Sequence, residues 1–257
     1  MKKVMSLLLV IALCLSMGTI AFAEEESEEL SGTSIPLSAF GQDVANVIET
    51  LDSTGVDEEL LGALRTYYED YASNYTYNIG LAQPSGYIMG QDTGVGSFRV
   101  GEALFGTVGC EIAATYNALR AIGETRSLPS IIRSFEMNGY IMKNGDWGSD
   151  PFAIGEYFDS LNVDYEVFKE QFEYNTFKSY VENNGNDNRA YIVSFFNSKI
   201  LEVKIHTVMF TVTNSGKLRV YNISNKATTW EELNSLDELI KGDVGMDYRY
   251  IVGYAIK

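Results

Sequence analysis

One change of hydrophobic period divides this chain and limits its fold more than any other feature. Between about residues 110 and 161 apolar side chains recur at helical spacing; from about 164 strand-like alternation predominates. Before the change the pattern predicts helices at 110–122, 128–138 and 151–161. The second has Ser127 as N-cap and Pro129 in its first turn, and the third has Asp150 ahead of Pro151. After the change, "DYEVF" reads as a short strand and 172–183 as a helix ending in "NNGNDN". "RAYIVSFF", "VKIHTVMFTV", "KLRVYNIS" and "DYRYIVGYAI" then read as four strands. A short helix at 230–240 is expected before the last of them, with Thr229 and Glu232 spaced as a capping box. Helices first and antiparallel strands second make an α+β fold with two lobes, a helical one packed on a sheet.

The chain starts "MKKVMSLLLVIALCLSMGTIAFAEEE". Lys2 and Lys3, an apolar run and the small residues of Ala21-Phe22-Ala23 predict a signal peptide over 1–23. Leu13 precedes Cys14 where a lipoprotein signal needs a small residue, so a soluble, secreted, extracellular chain starting near Glu24 is expected. Residues 24–34 form an acidic linker. Two amphipathic helices fill a helical N-terminal extension over 35–78, the second rich in tyrosine (Tyr67, Tyr68, Tyr71). It is expected to pack on the main domain at 79–257, a detachable prosegment being the alternative. The main domain opens with a Gly-rich, aperiodic loop over 79–109.

Loss of Lys2 and Lys3 leaves 17 basic residues against 35 acidic ones, a net charge of about −18 that repels nucleic acid and anionic membranes. After processing, Cys110 is the one cysteine and His206 the one histidine, which excludes an internal disulfide and a Cys/His metal cluster. P-loop, dinucleotide-binding and His-Glu-x-x-His motifs are missing, and no cofactor or metal is expected.

Chemistry is expected around Cys110, in "FGTVGCEIAATYNALRAIG". The glycines of "GTVG" let the chain turn sharply into a helix, at whose start a thiol meets unpaired N–H groups that lower its pKa. Ile112, Tyr116, Leu119 and Ile122 then face the core, with Cys110 at a cleft end. Position alone fits two readings, a nucleophile or an inert buried thiol. His206 shares a strand face with Val208, Phe210 and Val212. The "NSG" turn at 214–216 pairs Thr213 with Lys217, which sets Asn222 diagonal to His206. An Asn222 amide oxygen there can orient the imidazole toward a thiolate. Trp147, in "GDWGSDP", either walls a cleft or covers core.

"GTVGCEIAATYNALRAIG" resembles the nucleophile helix of bacterial papain-like cysteine peptidases related to bacteriocin-processing (double-glycine) peptidases. "IHTVMFTVTNSGKLRVYNIS" is similar to their histidine strand and hairpin, and "NGDWGSDPFAIGEYFDSLNVDYEV" to the turn, helix and strand between. The resemblance covers about 90–257 and implies a papain-like two-lobed fold. It further implies Cys110 as nucleophile, His206 as general base, Asn222 as its orienting residue and an upstream glutamine at the oxyanion. Gln91 is the candidate for that glutamine and Gln83 its competitor. Glu111 departs from the pattern, standing where many relatives have Gly. The implied activity is hydrolysis of peptide or isopeptide bonds in a peptide, protein or cell-wall peptide substrate. An acyltransferase or amidase using the same pair, or an inactive papain-like binding module at the cell surface, are the alternatives.

Overall fold

A computed structural model describes residues 70–145, 148–169, 173–185, 190–197, 205–241 and 250–257. The signal peptide, the acidic linker, most of the helical extension and Trp147 lie outside the described residues. The extension's last turns form helix α1 over 70–79. A short ribbon, β1 (Arg99–Val100) and β2 (Ala103–Leu104), leads into α2 (Phe105–Val108) and then α3 (Cys110–Ile122). Next come α4 (Leu128–Met137), α5 (Ala153–Ser160), β3 (Tyr165–Phe168), α6 (Tyr174–Asn184), β4 (Ala190–Phe196) and β5 (Ile205–Val212). The chain closes with β6 (Leu218–Tyr221), β7 (Glu231–Leu233), α7 (Leu236–Lys241) and β8 (Tyr250–Ile256). This is an α+β fold.

Local chemistry explains where the helices begin and end. Gly109 joins α2 to α3, and a Cβ there would lie 2.5 Å from the Phe105 ring, so only glycine lets the two turns close on each other. Gly123 ends α3 in the left-handed region (φ 89°), its N–H and that of Glu124 returning to the Arg120 and Leu119 carbonyls. At the start of α4 the Ser127 side chain accepts from the Ser130 N–H, and Asp150 Oδ1 takes the Phe152 N–H ahead of α5.

Six strands, in the order β3-β8-β4-β5-β6-β7, form one antiparallel sheet. Ile192, Met209, Tyr221, Val252 and Tyr254 on one face pack with Ile112, Tyr116 and Leu119 of α3 and with α4 and α5. Tyr191, Val193, Val208, Phe210 and Val220 on the other pack with Phe177 and Val181 of α6 and with α7. Helices cover both faces, which is why β4 is buried almost throughout and reads as a continuous apolar run.

The expected helix at 230–240 is two elements. Glu231–Leu233 form edge strand β7, with Glu232 opposite Arg219, so Thr229 and Glu232 make no capping box. The cap lies one turn later, where the Glu238 N–H donates to Ser235 Oγ. A second covered strand was available at β6, and pairing with it outweighed a local helix signal.

Candidate active site

Cys110 occupies the first position of α3, as the sequence predicts, and it is 7% exposed. Its Sγ donates to Oε2 of Glu111 at 3.1 Å. The carboxylate is 2% exposed, and its other oxygen, Oε1, accepts from the Thr207 hydroxyl at 3.1 Å. Thr207 is hydrogen-bonded in turn to Ser194 Oγ at 2.8 Å, its register partner on β4. The Ser149 N–H bonds the same carboxylate, and the Thr207 main chain bonds the sulfur. A polar chain thus runs from the start of α3 into the middle of the sheet.

Burial dominates the electrostatics. It pushes the Cys110 thiol well above the ordinary thiol range, and the neighbouring Glu111 charge adds to the rise. Burial also lifts Glu111 to about 7, against the opposing pull of its bonds to Cys110, Thr207 and Ser149. The helix start alone therefore does not yield a thiolate, because desolvation exceeds its stabilising field.

His206 does not meet Cys110. It pairs with Phe195 across β4 and β5, and the two rings pack edge to face at 6.0 Å on the side covered by α6 and α7. Thr207, one residue on, faces α3. The expectation of a Cys110–His206 hydrogen bond is corrected on this point: strand alternation puts the two side chains on opposite faces of the sheet. Burial lowers the His206 pKa, and its Nε2 donates to the Asn222 carbonyl at 2.6 Å.

The hairpin register is as expected from Val212↔Leu218 to Met209↔Tyr221, with the Thr213 N–H on the Lys217 carbonyl. Asn222 then leaves the ladder at φ 58°, and its N–H donates to the Met89 carbonyl. It is the Asn222 main chain, not its amide, that meets His206. The amide turns to Gln91, Oδ1 accepting the Gln91 N–H at 2.8 Å and Nδ2 donating to Gln91 Oε1 at 3.0 Å. Gln91, 1% exposed, sends its own Nε2 to the Phe105 and Gly106 carbonyls at 3.4 Å. Gln83 Nε2 goes to the Asn78 and Leu81 carbonyls. Both glutamine amides thus bond main-chain carbonyls, not an open oxyanion position. Gln91, Asn222 and His206 form one connected group, with Cys110 outside it.

Replacing Asn222 by alanine is expected to cost ~2–3 kcal/mol. It leaves the buried Gln91 N–H without its acceptor and puts a Cβ residue at positive φ without the amide. Asn222→Gly should recover ~1 kcal/mol of that through the backbone alone. Urea unfolding of the three proteins checks this, and equal midpoints for the two variants would count against strain at this residue.

Two residues that matter here were not expected. In the sequence Thr207 is one position of an alternating strand, and Asn117 one position of a helix pattern. Asn117 is fully buried, and its amide brackets Ile88, accepting the N–H at 2.7 Å and donating to the carbonyl at 2.8 Å. That clamp holds the 87–92 segment between α3 and Asn222. A polar residue on the core face of an apolar helix was the available signal.

No family model matches this chain, and no curated protein matches it. Among the described residues no helix is long and apolar enough to cross a membrane.

Proposed function

We propose that this chain is an exported, papain-like thiol hydrolase that cuts peptide or isopeptide bonds through an acyl-enzyme on Cys110. The observation that carries the reading is the placement of a free cysteine at the first position of a 13-residue helix, with a buried carboxyl 3.1 Å from its sulfur. A nucleophile within hydrogen-bond reach of a base, the base held by a third group, is the arrangement that covalent catalysis needs. A helix packed on an antiparallel sheet, with the cysteine at its N-terminus, is also what the papain-like resemblance implies. His206 is outside hydrogen-bond reach of the sulfur, so the reading rests on Cys110 and not on a Cys–His pair.

One observation favours a second reading, an inactive binding module of the same fold: the thiol is buried and its pKa raised. A mixed peptide library incubated with the processed chain separates the two. Under the first reading mass spectrometry finds new peptide termini, and these vanish for Cys110→Ser. An intact library, with Cys110 labelled by thiol reagents only after unfolding, would overturn the hydrolase and leave the binding module.

A further inference from the structure

We infer that the Glu111 carboxylate accepts the Cys110 thiol proton and that Thr207, backed by Ser194, positions it; this rests on the reading of Cys110 as the nucleophile. Four contacts carry the assignment. Oε2 takes the S–H bond at 3.1 Å, Oε1 takes the Thr207 hydroxyl at 3.1 Å, that hydroxyl is tied to Ser194 at 2.8 Å, and the Ser149 N–H bonds the carboxylate. Both oxygens of Glu111 are therefore held, and the one beside the sulfur is aimed at the reacting atom.

The surroundings make a purely structural account costly. Thr207 and Ser194 sit on a sheet face otherwise lined by Ile192, Met209, Val252 and Tyr254. A buried carboxylate there opposes folding unless protonated or fully bonded, and apolar residues of similar size would fill the space without that cost. Among the described residues, the groups facing Glu111 are the Cys110 thiol and the Glu111 N–H from α3, the Thr207 hydroxyl from β5 and the Ser149 N–H from the turn before α5. None of these carries a fixed charge. Glu111 consequently titrates near neutrality, where a general base works best.

The chemistry balances with an amide substrate and water. The thiol proton passes to Glu111 Oε2 as the sulfur electron pair attacks the amide carbon, and the carbonyl π pair moves to oxygen. Collapse of the tetrahedral adduct breaks the C–N bond, and the leaving nitrogen takes the proton from Glu111. Water then attacks the thioester, giving its proton to Glu111. The C–S bond breaks, the acid leaves, and the sulfur recovers that proton.

The rate of iodoacetamide alkylation of Cys110 in the whole chain, followed from pH 5.5 to 9.5, tests the assignment. Wild type should gain reactivity with an inflection near 7, as Glu111 ionises. Glu111→Gln should lose that inflection and react at least ~10-fold more slowly at pH 7.5, since general bases contribute about 10²–10⁴-fold. Glu111→Asp should restore part of it. Because Thr207 lowers the Glu111 pKa, Thr207→Val should move the inflection to higher pH, which keeps the test open should Glu111→Gln fail to fold. Faster alkylation in Glu111→Gln would mean that the carboxylate merely repels a thiolate, and would overturn the assignment. An inflection lost in His206→Ala and kept in Glu111→Gln would overturn it too, while leaving Cys110 as nucleophile. A wild-type thiol that reacts only on unfolding would sink both readings together.

Discussion

Raising the pH from 4.5 through 7 is expected to destabilise this protein, and Glu136→Gln to remove much of the loss. Glu136 is fully buried under α1, where its Oε1 accepts from Asn74 Nδ2 at 2.9 Å and from the Gly101 N–H at 2.8 Å. Burial lifts its pKa from 4.5 to about 7 despite those bonds. A carboxyl whose folded pKa is raised binds its proton more tightly in the native state. Its contribution is fully present below about 4.5 and is lost as pH rises through 7. A shift of that size corresponds to ~3 kcal/mol at about 1.4 kcal/mol per pKa unit.

Glu111 has the same sign and the same window. His206 works the other way: its lowered pKa favours the neutral native form, so its contribution weakens as pH falls through the ordinary histidine range. Among the described residues, the two raised carboxyls outweigh this imidazole between pH 4.5 and 7. Glu166, whose pKa Lys257 lowers, acts below that window, which leaves a net fall toward neutral pH. Glu136→Gln keeps the Oε1 acceptor and drops the titration. Denaturation midpoints at pH 4.5, 5.5, 6.5 and 8 should show the variant close to wild type in acid and ~3 kcal/mol more stable at pH 8. Parallel profiles across the window would dispose of the claim.

The second large effect lies on the other face of the sheet. Phe177 of α6 is fully buried against Phe168, Tyr191, Phe210 and Tyr250. Gly253 of β8 makes room for it, since a Cβ there would lie 2.7 Å from one ring carbon and 2.8 Å from two more. Phe177→Ala should cost ~3–5 kcal/mol through the cavity it leaves, and Gly253→Ala ~1–3 kcal/mol through overpacking. The double variant should cost less than the two combined, because the added methyl points into the vacated space. Urea unfolding of the four proteins measures the coupling. Additivity within about 0.5 kcal/mol would show that the glycine and the ring are not matched.

How legible this fold was depended on whether a signal was local. The start and end of α3 were readable because Gly109 and Gly123 punctuate it. The β5–β6 register was readable because a three-residue turn dictates which residues oppose. The helix expected at 230–240 failed where a strand partner, Leu218–Val220, lay across the sheet and not nearby in sequence. The same distinction governs the site. Gln91 is remote in sequence from the hairpin that carries His206 and Asn222, and the fold joins the three. In the sequence Glu111 stands out only as the neighbour of the cysteine. Side chains of adjacent helical residues diverge, and it took Thr207 and Ser149, remote in sequence, to turn its carboxyl toward the sulfur.

What the sequence alone determined, then, is the two periods, the turn that sets the hairpin and the placement of one cysteine at a helix start. Which partner that cysteine received was decided only in three dimensions. Alternation along β5 assigns His206 and Thr207 to opposite faces without saying which face meets α3. With apolar residues on both faces, nothing in the period distinguishes them. Packing α3 on the Met209 side settled the matter, giving the thiol a carboxylate held by Thr207 and leaving the imidazole to the Asn222 carbonyl.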